Sequence, residues 1–396
     1  MPYITKIETN IKRPGGVVHV GLEPHMLLIG DNGSGKTAIL NAIELALTGQ
    51  AHDLGGRDNA KATVLLQSLI PACDDFLYSI ITFDTGATVE WRMQRGKKPT
   101  VNWEFTPTDL NVHFLMDEVS DALTGSLLTT VRFLMKYFGD EPEFLEREEA
   151  ARRAVRREQA TVRAVTTAIE HLSLVNHSGE RKKEAVIAQA VVDLYENAGI
   201  TVTGSRNTYD KAKAYIDKHG APIANRESLL FETKKEAEGR LAAAKKQAKE
   251  NLDYMVTWVT EEQKDIESSF NLLRSRALPG EIGFEIDTTR ILFGLRTEGS
   301  FTPWISGAEY VAVLAIVAAT AALRLPSEDV VLIITPDRAL SHRHLHALVN
   351  ALRPVNRANI FIQTPTVVPV KSFPAWTKLY LEHRAVGKRW MKQQSG

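Results

Sequence analysis

Gly30-Asp31-Asn32-Gly33-Ser34-Gly35-Lys36-Thr37 fits the phosphate-loop pattern G-x-x-x-x-G-K-[ST] at every fixed position. The apolar run Met26-Leu27-Leu28-Ile29 before it reads as a strand, and the segment from Ala38 to Leu47 reads as the helix that the loop opens. Glycine lets the backbone wrap an anion, so Gly30, Asn32, Gly33, Ser34 and Gly35 would line the cradle. The main-chain N–H groups of the loop and of the first helical turn, at Lys36, Thr37 and Ala38, would point at the phosphates. Lys36 would meet the β/γ-phosphates and Thr37 would hold Mg²⁺ through its hydroxyl. A glycine-rich turn capping a buried helix accounts for the glycines, but strand, loop, Lys-Thr pair and helix together point to a bound nucleotide.

Working outward, 396 residues suffice for two or more domains. The 48 basic and 48 acidic residues cancel, so no global field draws the chain to nucleic acid and any such contact needs a local patch. The single Cys73 excludes an intramolecular disulfide and a multi-cysteine metal site, and suits a reducing cytoplasm. Met1-Pro2-Tyr3 leads straight into a strand-like segment, and no secretory signal is expected. The apolar segment Tyr310 to Leu323 falls short of the roughly 20 residues that span a bilayer and reads as a buried helix.

Residues 1–140 read as strands around the loop: Ile4 to Ile7, Val17 to Val20, then the alternating pair Phe76 to Phe83 and Ala87 to Met93 across the turn Asp84-Thr85-Gly86. Arg95 to Pro107 reads as irregular. Residues 141–278 are charged and poor in glycine and proline. They read as a helix from Glu141 to Leu174, broken at His177-Ser178-Gly179, with shorter helices over 181–196 and 209–218 and a loop at 199–204. A long helix follows from Asn225 to about Leu273, reaching roughly 70 Å at 1.5 Å per residue. Its seam is Leu252, Val256, Val259, Ile266, Phe270 and Leu273, with Gln263 at one polar core position. The economical reading is an antiparallel coiled-coil hairpin, or a short helical bundle, inserted in an α/β domain. Residues 279–396 resume strands and helices, with Val330 to Ile334 as a central parallel strand, a helix from Ser341 to Leu352, a strand from Asn359 to Gln363 and a basic tail, His383 to Lys392, read as a surface helix or frayed end.

The phosphate loop, the opening strand with Ile7 and Asn10, and Ser306-Gly307-Ala308-Glu309 opening a helix before an apolar strand together resemble the ABC-type ATPase heads of the SMC, RecF and SbcC group. The resemblance covers both flanks, about 1–140 and 280–370. It implies a P-loop NTPase head split by a helical hairpin, with ATP and Mg²⁺ as cofactors. It also implies that Ser306 and Gly307 form a signature motif meeting the γ-phosphate held by the opposite subunit, so that two heads close around two nucleotides. Read by itself, Ser306 is equally a helix N-cap. The implied action is on double-stranded DNA in repair, recombination or maintenance, with a nuclease or other protein as a further partner and no membrane. A catalytically impaired nucleotide-binding scaffold is the rival.

The departures bear on hydrolysis. The strand that should end in adjacent acids ends in Thr335-Pro336, and Asp337 is the nearby carboxylate. Asp337 either serves the metal and the attacking water, or caps the next helix or pairs with Arg338. The histidine expected after the following strand is missing from Gln363-Thr364-Pro365-Thr366. His342, His344 and His346 lie on the intervening helix and read as a polar face rather than a metal site. Gln94, or the carboxylates of Leu115-Met116-Asp117-Glu118, are candidates for the glutamine usual after the strand pair. The insert has no Cys-x-x-Cys zinc hook. Arg147, Arg152, Arg153, Arg156, Arg157 and Arg163, with Lys234, Lys235, Arg240, Lys245, Lys246 and Lys249, make either a phosphate-binding stripe or a solvated coiled coil laced with ion pairs.

Overall fold

Short apolar runs that cannot be wetted on either face assemble the central sheet. The computed structural model describes residues 2–11, 18–49, 66–67, 69–70, 74–97, 100–103, 111–178, 223–273, 278–303, 305–335, 340–366, 368–369, 371–381 and 391–394. In chain order these form β1 (Ile4–Thr9), β2 (Val18–Gly21), β3 (His25–Ile29), α1 (Lys36–Thr48), β4 (Phe76–Phe83), β5 (Thr88–Gln94), β6 (Thr100–Trp103) and β7 (Val112–Phe114). Next come α2 (Leu115–Thr124), α3 (Leu127–Phe138), α4 (Pro142–Ser178), α5 (Ile223–Glu261) and α6 (Gln263–Leu272). Then follow β8 (Glu281–Ile286), β9 (Ile291–Thr297), β10 (Ser300–Thr302), α7 (Gly307–Ala322), β11 (Val330–Thr335), α8 (His342–Leu352), β12 (Asn359–Thr364), β13 (Thr377–Leu381) and β14 (Met391–Gln394). They group into two compact units, residues 1–138 with 259–396, and residues 139–258.

In the first unit the central sheet has the order β14-β13-β3-β12-β11-β7. All neighbours are parallel except β14, which runs against β13. Met26 to Ile29, Val330 to Ile333 and Ile360 to Ile362 are buried, as expected of strands covered on both faces. A second, antiparallel sheet has the order β2-β1-β4-β5-β6. Helix α1 packs on it: Ile39, Ile43 and Leu45 share a core with Ile7, Leu77, Ile81 and Trp91, and Ser79 Oγ donates to the Ala42 carbonyl. The Ala-rich helix α7 is buried over nearly its whole length from Val311, as its uniform apolarity predicts.

Several expectations change. Residues 100–103, read as irregular, pair with β5 as a strand. The long helix is interrupted at Glu262, and α6 continues in the first unit. There Gln263 is no coiled-coil core residue. With Glu267 and Asn271, each one turn further on, it hydrogen-bonds the main chain of Ile282 and Phe284 along the edge of β8. In the basic tail, Met391 and Lys392 belong to a strand that pairs with Leu381 and Tyr380. The helices read at 181–196 and 209–218 and the loop at 199–204 lie outside the described residues.

The second unit is a helical hairpin. Glu141 and Phe144, near the start of α4, meet Tyr254 near the end of α5, while Glu158 meets Arg240, so the helices run antiparallel. Its interior holds Val165, Ala168, Ala237 and Met255. Met255 is buried where Val256 was expected, and Val256 is half-buried.

Candidate nucleotide site

The loop leaves β3 at its C-terminal end, the usual ligand end of a parallel sheet. Gly30 N–H donates to the Thr364 carbonyl at 3.2 Å, fixing the loop to β12. A Cβ on Gly30 would lie 2.3 Å from the Leu381 carbonyl oxygen, so no other residue fits there. Gly33 (φ 82°) and Gly35 (φ 103°) adopt left-handed backbone, which side chains disfavour. Ser34 N–H donates to the Asp31 carbonyl at 3.0 Å and closes the turn.

Helix α1 begins at Lys36 with Gly35 as its N-cap; no side chain caps it, and its first turn carries no acid. A helix start with neither a side-chain cap nor an acid in its first turn is the arrangement that an anion completes. Lys36 is buried, and its ammonium donates to the carbonyls of Gly30 and Asp31, the latter at 3.0 Å. The glycine cradle, the uncapped helix start and the lysine within reach fit a nucleotide's phosphates. Asn32 is exposed on the loop, and Thr37 and Ala38 are half-buried in the first turn.

Behind the loop, Thr37 Oγ1 donates to Gln363 Oε1 at 3.5 Å. Gln363 Nε2 in turn donates to the Thr335 carbonyl, and Gln363 N–H to Thr335 Oγ1, each at 3.1 Å. Gln363 was read only as the place of a missing histidine. A polar residue near the end of the otherwise apolar strand run Ile360 to Ile362 was the signal available. Thr335 is fully buried at the end of β11, and Asp337 lies outside the described residues. The hard oxygen Thr37 Oγ1 suits Mg²⁺.

Ser306 is an exposed N-cap on α7 within a capping box: its Oγ accepts from Glu309 N–H and its N–H donates to Glu309 Oε2 at 2.9 Å. Gly307 follows, exposed, as the first residue of the helix. Gln94 ends β5 in the antiparallel sheet. Glu118 instead joins a half-buried network, accepting from Tyr137 Oη and Lys136 Nζ, with His113 between it and Asp329. Burial raises its pKa, but the hydrogen bond from His113 and the charge and hydrogen bond of Lys136 outweigh that and hold it at about 2.

His344 Nδ1 contacts Ser341 Oγ and His346 Nδ1 contacts Asn350, while the His342 and His346 rings lie near Phe373. Among the described residues no group of three or more metal-ligating side chains gathers. Much of the basic stripe is engaged in ion pairs, including Arg152 with Glu148 and Arg240 with Glu158.

A parallel sheet ending in a glycine loop, with Lys36 and Thr37 opening the next helix and a helical hairpin dividing the chain, defines an α/β P-loop nucleotide-binding protein. A family model described as an AAA domain matches residues 19–275, and the chain belongs to that family. No curated protein matches the sequence. Similar solved structures include the Smc head domain with a coiled coil and joint from Pyrococcus yayanosii, at 13% identity and TM-score 0.46, covering 96% of this chain and 95% of that one. The Smc head domain with an extended coiled coil bound to the C-terminal domain of ScpA, from Pyrococcus furiosus, has 14% identity and TM-score 0.46 over 96% and 94%. The recombination mediator protein RecF with ATP has 12% identity and TM-score 0.41 over 99% of both chains. No helix among the described residues is long and apolar enough to cross a membrane.

Proposed function

We propose that this chain is an ATP-binding head of the SMC, RecF and SbcC type that closes with a second copy around two nucleotides and acts on double-stranded DNA. One observation carries this reading. The unit that holds the uncapped phosphate loop also presents Ser306 and Gly307, exposed, at the N-terminus of a helix that is buried from Val311 onward. In a two-fold pair, each copy can give that terminus and the Ser306 hydroxyl to the γ-phosphate held by the other.

Lys36 supplies the charge toward the β/γ-phosphates, and its switch from loop carbonyls to phosphate accompanies binding. Thr37 and Asp337 are the proposed metal-side residues. Bound Mg²⁺ would neutralise charge between the phosphates. Exposed Lys245 and Lys249, one turn apart on α5, have no ion pair among the described residues and supply a contact for DNA backbone, without base specificity. A nuclease or another protein is the proposed further partner.

Thr335 at the end of β11 supports slow or partner-dependent hydrolysis, and it also favours the second reading, a nucleotide-binding scaffold without useful turnover. Light scattering with saturating ATP and Mg²⁺ should show a dimer for the parent and a monomer for Lys36→Ala, with calorimetry showing lost ATP binding in the variant. A parent that stays monomeric overturns the closure reading. DNA-stimulated phosphate release separates the ATPase from the scaffold.

A further inference from the structure

Among the residues around the loop, Gln363 has a side chain held at both ends by groups that fix what it offers. It lies in β12, the strand between the phosphate-loop strand β3 and β11. It is buried, and a buried amide must be hydrogen-bonded to be tolerated. The Thr335 carbonyl can only accept, so the Gln363 NH₂ must face it, at 3.1 Å. That choice turns Oε1 toward Thr37, whose hydroxyl lies 3.5 Å away. The backbone is fixed in the same direction by Gln363 N–H donating to Thr335 Oγ1. The amide is therefore an acceptor aimed at one hydroxyl.

We propose that Gln363 is the positioning residue for the metal in this chain. By accepting the hydroxyl proton of Thr37, it leaves the Thr37 oxygen lone pairs directed away from the sheet, toward the phosphate side where Mg²⁺ binds. The inference rests on the nucleotide reading above. It assigns to a neutral amide, supported by a buried threonine, part of the work that a carboxylate at the end of β11 would do. The protein oxygen offered to the metal on this side is then the neutral Thr37 hydroxyl, oriented by Gln363. Metal occupancy responds to the charge at position 363, whatever Asp337 contributes.

The test reads metal binding and not turnover. ATP affinity is measured by calorimetry without metal and across a Mg²⁺ titration, in the parent, Gln363→Leu and Gln363→Glu. Thermal unfolding of each metal-free protein is recorded alongside. Loss of the acceptor in Gln363→Leu should raise the half-saturating Mg²⁺ concentration about tenfold, the scale of one hydrogen bond near a charge. Gln363→Glu, which places a carboxylate beside Thr37, should lower it by a similar factor. Metal-free ATP affinity should stay within about twofold in Gln363→Leu, which touches neither the loop's N–H groups nor Lys36, and should fall in Gln363→Glu, whose charge opposes the phosphates. Should Gln363→Leu fail to fold, the Gln363→Glu arm decides alone. A Mg²⁺ dependence unmoved in folded variants overturns the proposal while leaving the nucleotide site standing. A parent that binds no ATP with or without Mg²⁺ overturns both.

Discussion

Glu158 and Arg240, 82 residues apart in the chain, meet at 3.0 Å across the helical hairpin. The carboxylate is buried and also accepts from Arg157, so it is satisfied from its own helix and from the returning one. Such a pair does less for stability than for register, because sliding either helix by a turn would leave a buried charge alone. Arg240→Ala should cost about 1–2 kcal/mol in chemical denaturation; Arg240 is half exposed and Arg157 remains, which keeps the loss below that of a fully buried pair. Replacing both Glu158 and Arg240 by Leu should recover most of it. Unfolding of Arg240→Ala at the parent's midpoint would make the pair a bystander.

Ser306 has an observed role as the N-cap of α7 and a proposed one at the closed interface, and one substitution can separate them. Ser306→Ala removes the acceptor for Glu309 N–H and should cost about 1 kcal/mol. Ser306→Asp keeps an N-cap and should melt with the parent, yet it sets a negative charge where the proposed closed pair would bring a γ-phosphate. ATP-induced dimerisation should therefore vanish in the Asp variant while ATP binding to the monomer persists. A dimer of parental strength, by light scattering, would remove Ser306 from the interface.

How much of this was legible follows from the range over which each feature is specified. The phosphate loop is local: glycines that need left-handed backbone, a lysine and a threonine stand side by side, and the apolar runs flanking them declare strand and helix. The antiparallel hairpin was legible from its charged, proline-poor helices. Gln363 was not, because its partner Thr37 is 326 positions away and only the order of β3, β12 and β11 brings them together. The strand at Thr100–Trp103 was hidden for a similar reason, since its partner β5 creates it. Gln263 fitted a helical seam by spacing, but the edge of β8 claims it. The basic stripe shows the converse: spacing allowed both a phosphate surface and an ion-paired helix, and for Arg152, Arg156 and Arg240 the neighbouring acids are engaged.

Glu118 makes the first unit sensitive to acid. Its carboxyl titrates at about 2 against an ordinary value of 4.5; burial opposes that shift, and His113, Lys136 and Tyr137 more than reverse it. A depressed folded-state pKa means that the contribution to stability is complete above about 4.5 and is lost as the pH falls toward 2. Glu118→Gln should be less stable than the parent at pH 7 by about 1 kcal/mol, a modest figure because the carboxylate is partly exposed. The difference should shrink as the pH drops through that window. Denaturant midpoints at pH 3, 5 and 7 test this, and a constant offset across all three would show that the ionised carboxylate is not the source.

Hydrolysis turns on what stands beyond β11. Metal-assisted attack on a γ-phosphate needs an anchored Mg²⁺ and an oriented water, and positioning supplies most of the acceleration. Thr37 can give one ligand, but Thr335 turns its carbonyl and its hydroxyl oxygen to Gln363, and Pro336 has no group that can take a proton. The closed state should therefore outlast that of a head with a full acidic pair, and parental turnover should be slow. Asp337 decides between a shifted catalytic carboxylate and a lost one. In the first case Asp337→Asn should lower steady-state phosphate release about 10²-fold or more, the scale of a positioned catalytic group, while ATP-induced dimerisation persists. In the second, Asn should substitute almost freely, because Asn and Asp cap helices about equally well. We expect slow turnover in the parent and a further fall in the variant, measured with and without duplex DNA. Fast parental release indifferent to the substitution would mean that neither Asp337 nor the neutral end of β11 limits the reaction.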